Sequence, residues 1–324
     1  MDKIEIFEET DRSKKQGKLY IVVPCYNEEE ALETSAHLLI KKLEDLISKE
    51  LISEESRIVF VDDGSKDKTW QIIQSLFQKE EKVIGLRFAH NRGHQNAILA
   101  GMMYARKYCD FVITIDADLQ QDIEAMDRFI KEYYAGNEIV FGVRNSRNTD
   151  SFFKKSTATI FYKLMHFLGC NIYENSADYR LMSAKALDAL SEYEEVNLFL
   201  RGIIPDIGLK TSVVHFDVFP RMQGESKYSL SKMLTLGVDG ITSFSIKPIR
   251  MVFMMGVAAL IMGFGMIVHV FYEHYFGTTV SGWSSILASI WLLGGAILLA
   301  LGIIGEYLSV ILGEIRRRPI YLVR

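Results

Sequence analysis

The chain is poor in the residues that hold small secreted scaffolds together. Its 324 residues include three cysteines, Cys25, Cys109 and Cys170, far apart and odd in number. That excludes a disulfide framework and offers no zinc-ligand spacing, so they read as reduced thiols of a cytosolic domain. No strong excess of one charge is present: the formal balance is -4, and no basic helix alternates with aromatics, which sets nucleic acid aside as a partner. Residues 1–18 are rich in charge and lack the apolar core of a signal peptide; they read as an N-terminal tail that is not expected to direct export. No Gly-x-Gly-x-x-Gly follows the first predicted strand and no Walker-type loop occurs, which removes the main support for a dinucleotide oxidoreductase or a P-loop enzyme. Internal repeats and low-complexity tracts are also missing.

What is present is ordered. Leu19 to Val23, Ile58 to Val61, Val83 to Arg87, Phe111 to Ile115 and Ile139 to Val143 are short runs of β-branched and aromatic residues, nearly continuous as strands buried on both faces tend to be. Between them, Glu28 to Lys49, Thr69 to Gln78, Gly93 to Lys107 and Ile123 to Tyr134 carry apolar residues at helical spacing. The alternation predicts an α/β, Rossmann-like doubly wound sheet within 19–227, whose ligands collect beyond the carboxyl ends of the strands. Two acidic signatures fall there, Val61-Asp62-Asp63-Gly64-Ser65 and Asp116-Ala117-Asp118-Leu119-Gln120. Closely spaced carboxylates on a loop suit a hard divalent cation, and a nucleotide diphosphate leaving group needs one with open coordination positions. From about Phe152 to Tyr228 the pattern loosens and elements are not assigned one by one.

The last quarter differs. Ile249 to Tyr272 carries one charge, Arg250, at its start; at ~1.5 Å per residue it covers roughly 36 Å, enough to cross a bilayer with some tilt. Trp283 to Ile304 has no charge. The two are read as a transmembrane helical hairpin within 247–312, with spans at about 249–272 and 283–305. Their connection, Glu273 to Gly282, has no lysine or arginine, whereas Lys247 and Arg250 precede it and Arg316, Arg317 and Arg318 follow in a basic tail, 313–324. The positive-inside rule then places both termini and the catalytic domain in the cytoplasm, at the inner or plasma membrane. The competing reading is a buried helix pair of a soluble core. Residues 228–246 mix Leu230, Met233, Leu234 and Ile241 with Lys232 and Asp239, and read either as an amphipathic interfacial helix or as an ordinary domain helix. Gly256, Gly263 and Gly265 in one run and Gly294, Gly295 and Gly302 in the other permit close helix contact, which leaves a homo-oligomer open.

Five motifs stand in order: Val23-Pro24-Cys25-Tyr26-Asn27-Glu28-Glu29, Asp62-Asp63-Gly64-Ser65, Asp116-Ala117-Asp118-Leu119-Gln120, Ala177-Asp178-Tyr179-Arg180-Leu181-Met182, and Arg221-Met222-Gln223-Gly224-Glu225-Ser226-Lys227-Tyr228-Ser229. This succession resembles glycosyltransferase family two. The whole chain is similar to its polyprenyl-phosphate branch, the group containing bactoprenol glucosyltransferases and dolichol-phosphate mannose synthases. The apolar runs followed by Arg318-Pro319-Ile320-Tyr321 are similar to the bacterial bactoprenol members. The resemblance implies a GT-A fold with a mixed sheet, a divalent metal, Mg2+ or Mn2+, and inverting transfer of a hexose from a nucleotide sugar to a lipid phosphate. Glucose from UDP-glucose, passed to undecaprenyl or another polyprenyl phosphate for cell-envelope glycan modification, is the donor and acceptor pair it implies first. GDP-mannose, as in dolichol-phosphate mannose synthases, and UDP-N-acetylglucosamine are the alternative donors.

Carried onto this chain, the resemblance assigns the nucleoside grip to Pro24, Tyr26 and Glu28, since a tyrosine can cover a base and a carboxylate can accept from ribose hydroxyls. Acids starting a helix are the plain alternative. Val61 and Asp63 match the base-contact positions, with Asp62 structural and Gly64-Ser65 open to being only a turn. Asp118 and Gln120 are placed on the metal, with Asp116 and Ala117 beside the ribose or the ion's waters; an Asx-type turn without metal is the rival. Arg144 is placed toward the donor diphosphate or, alternatively, on the surface. Asp178 matches the acidic position near the acceptor, as base or as orienting group, against an ion pair with Arg180. Arg201, Arg221 and Lys227 are the expected phosphate cations, against a solvated basic loop. His90 and His94 are given to capping and packing.

Two other classes remain. A processive polysaccharide synthase should carry Gln-x-x-Arg-Trp, and none of Trp70, Trp283 or Trp291 follows an arginine. A non-catalytic membrane scaffold should have lost the acidic pair, which is intact. The membrane segment is expected to be needed for transfer to a long-chain acceptor, and residues from Ile246 onward to be dispensable for nucleotide binding.

Overall fold

The computed structural model describes residues 16–145, 176–193, 200–219, 283–315 and 319–323, with a few isolated helical positions between 252 and 265. In chain order the elements are β1 (Leu19–Cys25), α1 (Leu32–Ser48), β2 (Arg57–Asp62), α2 (Thr69–Lys79), β3 (Val83–Arg87), α3 (His94–Ala105), β4 (Phe111–Thr114), α4 (Ala125–Tyr134), β5 (Ile139–Arg144), β6 (Ser176–Ser183), α5 (Ala184–Ser191), α6 (Leu200–Asp206), β7 (Thr211–Phe216) and α7 (Trp283–Ile315). The strands make one seven-stranded sheet in the order β3-β2-β1-β4-β6-β5-β7. All neighbours run parallel except β6, which is antiparallel to both β4 and β5.

Local sequence explains most of this. β1 is buried along its whole length, so its apolar run has no polar face, as expected of a central parallel strand covered on both sides. α1 buries Leu32, Ala36, Leu39, Leu43 and Leu46, one stripe at helical spacing. It begins at Leu32 rather than Glu28, because Asn27 takes a left-handed conformation, φ 53°, and the next loop captures the backbone. The Asn27 and Glu28 N–H groups donate to Ser65 Oγ at 3.0 Å and Thr69 Oγ1 at 2.9 Å. α3 packs tightly on the sheet through Gly101, where an added Cβ would stand 2.3 Å from Val22 Cγ1 and 3.0 Å from Val61 Cγ2. β6 and β7 lie in the stretch whose sequence pattern was loose. Cys25 and Cys109 are buried free thiols, in keeping with the reduced reading.

Beneath the sheet edge, Lys42 of α1 is buried to 2% side-chain exposure, with Nζ 2.5 Å from Glu124 Oε2, 2.7 Å from Asp127 Oδ1 and 3.4 Å from Asp45 Oδ2. The ammonium therefore ties α1 to the start of α4. Lys42→Ala is expected to lower stability by about 2 kcal/mol, below the usual loss for a fully buried pair because the acids are part-exposed. Urea unfolding of the single variant against Lys42→Met, which keeps the apolar stem, checks this; equal stability of parent and alanine variant would remove the cluster from the account.

The chain divides into two compact units. One holds the sheet domain together with Pro319–Arg324, and the other holds α7. Among the described residues no helix is classed as long and apolar enough to cross a membrane. The helix α7 is continuous over 33 residues, and its sequence has no charge from Trp283 to Gly305. The other expected span, 249–272, the juxtamembrane stretch 228–246, and Arg221 and Lys227 lie outside the described residues apart from the isolated positions.

Candidate active site

The carboxyl ends of β1 and β2 are knitted into one surface. Pro24 pairs with Val61 across the ladder, and both are buried, while Tyr26 and Glu28 are half-buried just beyond. Asn27 Oδ1 accepts from the Lys66 N–H at 2.9 Å and Glu29 Oε2 from the Lys68 N–H at 2.9 Å. Asp62 closes a turn by accepting the Ser65 N–H at 3.0 Å, the structural part read for it. Asp63 is buried, and its two oxygens accept the Arg92 N–H at 2.6 Å and the Gly93 N–H at 2.9 Å. Burial pushes its carboxyl above the ordinary range although those bonds oppose the shift. Asp63 thus fastens the segment that enters α3. Gly64, at φ 67°, lies under that segment: a Cβ there would meet Asn91 N and His90 C at 2.7 Å, so the turn needs glycine for both its conformation and its clearance.

The second cluster is made by β4 and β6. Their antiparallel register pairs Thr114 with Arg180, and extending it by two residues sets Asp116 opposite Asp178. Thr114 Oγ1 donates to the Asp178 carbonyl at 2.5 Å. After Asp116 the chain turns through Leu119, whose φ of 45° is costly for a branched-γ side chain. The turn is held by the Leu119 N–H on the Asp116 carbonyl at 3.2 Å and the Gln120 N–H on Asp118 Oδ1 at 3.3 Å. Ala117 is buried and Asp118 and Gln120 are half-buried. The Asx-type turn weighed against metal binding is therefore present, and it leaves Asp118 further acceptor positions.

A glutamine that the sequence does not single out, Gln121, reaches Asp116. Gln121 Nε2 donates a very short bond to Asp116 Oδ2, while Asp116 Oδ1 and Gln121 Oε1 are buried with no hydrogen-bond partner. His94, the first residue of α3, stands with Nε2 3.3 Å from Asp116 Oδ1 and 3.8 Å from Asp178 Oδ2. Burial depresses its pKa, but Asp116 and then Asp178 outweigh burial and raise it, whereas Asp116 is lowered, chiefly by His94 against burial. The capping-and-packing reading of His94 is corrected by this contact. Sequence carried one usable signal, a glycine, Gly93, immediately before a helical run, which makes the next side chain the first on a helix at the sheet's ligand edge.

Asp178 is clasped by two guanidinium groups. Arg201 Nη2 lies 2.8 Å from Oδ2 and its Nε 3.2 Å from Oδ1, and Arg180 Nη2 makes a very short contact with Oδ1. Burial alone would raise the carboxyl; Arg201 and Arg180 more than reverse it and hold Asp178 well below the usual carboxylate range. The ion pair with Arg180 is real, and Arg201 shares it. Arg180 is 1% exposed, and its Nε and Nη1 are buried without partners. Arg201 is aimed here by α6, whose first N–H, at Leu200, donates to Gln95 Oε1 at 3.1 Å. Arg144 ends β5 at the ligand edge of the sheet, with its Nε buried and without an acceptor among the described residues.

A divalent cation suits the β4 turn: among the described residues Gln121 Oε1 is buried without a hydrogen bond and Asp116 Oδ1 faces the His94 imidazole at 3.3 Å, and carboxylate and amide oxygens are the donor set of a hard ion. Among the described residues, the group of three acids close enough to hold an ion is Asp45, Glu124 and Asp127. Lys42 Nζ already occupies that group, so it is an ammonium site rather than the metal centre.

Comparison with known proteins gives the family. The model of glycosyl transferase family 2 matches residues 20–191. A glycosyltransferase of Bacillus subtilis, YkoT, is 47% identical over 96% of this chain and 92% of its own. The prophage bactoprenol glucosyl transferase homolog of Escherichia coli is 37% identical over 95% of this chain and 98% of its own, and the bactoprenol glucosyl transferase of Shigella phage SfX is 38% identical over 95% and 99%. Among solved structures, glucosyl-3-phosphoglycerate synthase from Mycobacterium tuberculosis with Mn2+, UDP-glucose and phosphoglyceric acid shares 14% identity at a TM-score of 0.45, covering 72% of this chain and 80% of that one. With the mixed GT-A-like sheet, the acidic β4 turn and co-linear relatives across nearly the whole length, the chain belongs to glycosyl transferase family 2 and is a glycosyltransferase similar to the bactoprenol glucosyl transferases.

Proposed function

We propose that this enzyme transfers glucose, with inversion, from UDP-glucose to undecaprenyl or a similar polyprenyl phosphate at the cytoplasmic face of the membrane. The observation that carries the reading is a pair of buried oxygens without a geometric hydrogen bond among the described residues, Gln121 Oε1 and Asp116 Oδ1, the latter facing His94 Nε2 at 3.3 Å, beside the Asp178–Arg201 pair. It supplies a place for a cation and a cationic wall on one edge of the sheet. Asp116, Asp118 and Gln121 would hold Mg2+ or Mn2+, which when bound neutralises the departing diphosphate. Arg144, whose Nε has no acceptor among the described residues, is assigned to the donor phosphates, and Tyr26, Glu28 and Val61 to the nucleoside.

In the transfer, an acceptor phosphate oxygen forms the bond to the anomeric carbon. The bond from that carbon to the β-phosphate oxygen breaks, and UDP leaves with the electron pair. A lipid monophosphate has a second pKa near ~6 and is mostly dianionic at neutral pH, so little proton removal is required. Asp178, held ionised by two arginines, is a weak base; it keeps Arg201 oriented toward the anionic substrates, with the buried Arg180 as its second counter-ion. A polyprenyl chain cannot leave lipid without exposing a large apolar area. The uncharged stretch Trp283–Gly305 of α7, the apolar run 249–272 and the flanking Arg316, Arg317 and Arg318 support a two-helix anchor, with both termini inside.

The test is an assay of membranes and of detergent-purified enzyme with undecaprenyl phosphate and, in turn, UDP-glucose, UDP-N-acetylglucosamine and GDP-mannose, read by mass spectrometry of the lipid. Hexosyl lipid is expected from UDP-glucose, and excess chelator should suppress it at least ~100-fold. Full-rate transfer in chelator, or transfer only from GDP-mannose, would overturn the reading.

A further inference from the structure

The segment that follows α7 does not remain a separate basic tail. Through Arg316, Arg317 and Arg318 in sequence it leads to residues 319–323, which pack within the sheet domain. Tyr321 stacks on Phe88 with ring centroids 5.2 Å apart and planes 7° from parallel. The Ala89 N–H donates to the Leu322 carbonyl at 3.2 Å, and Phe88 and Val323 form an antiparallel bridge. Phe88 is 1% exposed, and its own N–H donates to the Asp62 carbonyl at 2.9 Å. The segment is thus an added edge on the continuation of β3.

The residues that receive this contact lead directly into the active site. After Phe88 and Ala89, His90 and Asn91 cover Gly64 at contact distance. Arg92 and Gly93 donate to Asp63, and His94 faces Asp116 and Asp178. The stretch 88–94 has no regular ladder of its own among the described residues, so its position depends on contacts at its two sides: Asp63 and Gly64 on one, residues 321–323 on the other.

We propose that residues 319–323 are a strap of the donor-binding half, and that Tyr321 is a positioning residue acting through Phe88 on Asp63 and His94. The nucleotide site is then complete only when the chain has passed through α7 and returned, which couples membrane-segment folding to donor binding. This deepens the glycosyl-transfer reading and rests on it for the identity of the nucleotide. It also revises the expectation that residues from Ile246 onward are dispensable for nucleotide binding, since that deletion removes the strap as well.

The experiment uses the full chain in detergent, with Tyr321→Ala, Tyr321→Phe and a deletion of residues 319–324. Amide hydrogen exchange of peptides spanning 88–94 is measured beside peptides from β1 and β4, together with binding of UDP and Mn2+. In Tyr321→Ala and the deletion, exchange at 88–94 is expected to rise and UDP to bind about fivefold more weakly, with β1 and β4 unchanged; Tyr321→Phe, which keeps the stack, should match the parent. Unchanged exchange at 88–94 in the deletion overturns the strap, as does equal loosening of β1 and β4, which would mean general destabilisation. A parent that binds no UDP would defeat the transfer reading instead, and the exchange data would still decide the strap.

Discussion

Asp116→Asn is expected to reduce sugar transfer by about 10²–10³-fold while leaving the fold intact, because the substitution keeps shape and removes charge. Asp116 is where the evidence for chemistry is most concentrated. One oxygen is taken by Gln121, the other is buried without a hydrogen bond, and the imidazole of His94 stands 3.3 Å away. An asparagine there offers a neutral oxygen in place of an anion, weakening both the cation site and the attraction that orients His94. Initial rates at saturating Mn2+ with UDP-glucose and polyprenyl phosphate provide the measurement, and thermal unfolding the control. Transfer within threefold of the parent would show that the carboxylate is not part of the chemistry.

Asp178→Asn is expected to fail in two ways, which a second substitution separates. Arg180 is almost wholly buried and its described ion-pair partner is Asp178. Neutralising that partner leaves a buried guanidinium uncompensated, a loss of about 3–5 kcal/mol. The pH dependence has the matching sign: a carboxyl held below its unfolded value contributes stability at neutral pH that disappears as the pH falls through the folded pKa. Arg180→Met in the same chain removes the stranded charge, so the double variant should regain most of the stability. Transfer should stay depressed at least ~100-fold, since Arg201 has lost the carboxylate that aims it. Recovery of both properties would reduce Asp178 to a structural counter-ion, and retention of stability by the single variant would contradict the burial argument for Arg180.

The relation of sequence to structure is uneven along the chain. β1 through β5 were legible because their apolar runs are continuous and the helices between them carry one apolar stripe; both signals come from neighbouring residues. α1 was read a turn too early, since Glu28 and Glu29 look like a helix start, and only the loop bearing Ser65 and Thr69 shows why the helix waits until Leu32. β6 and β7 were not assigned individually, because β6 contains Asp178 and Arg180, and polar residues inside a strand break the pattern unless their partners are known.

The site divides in the same way. The acidic motifs at the ends of β2 and β4 can be found in one dimension because turn residues and carboxylates sit side by side in the chain. The contact of Gln121 with Asp116 is not legible in the sequence, since alternation along an extended loop points to Asp118 and Gln120, whereas the left-handed Leu119 turns the chain and brings Gln121 to Asp116.

Sequence alone determined the class of the molecule: a mixed α/β domain with acidic strand ends, then long uncharged apolar stretches flanked by arginine, all set by local composition and spacing. Only the tertiary structure decided that His94 meets Asp116 and Asp178, that two arginines share one carboxylate, and that Tyr321 returns to Phe88. Those contacts join residues distant in the chain through the antiparallel turn of β6 and the path of the segment after α7. Strand register and chain return are properties of packing, which nearest-neighbour patterns do not encode.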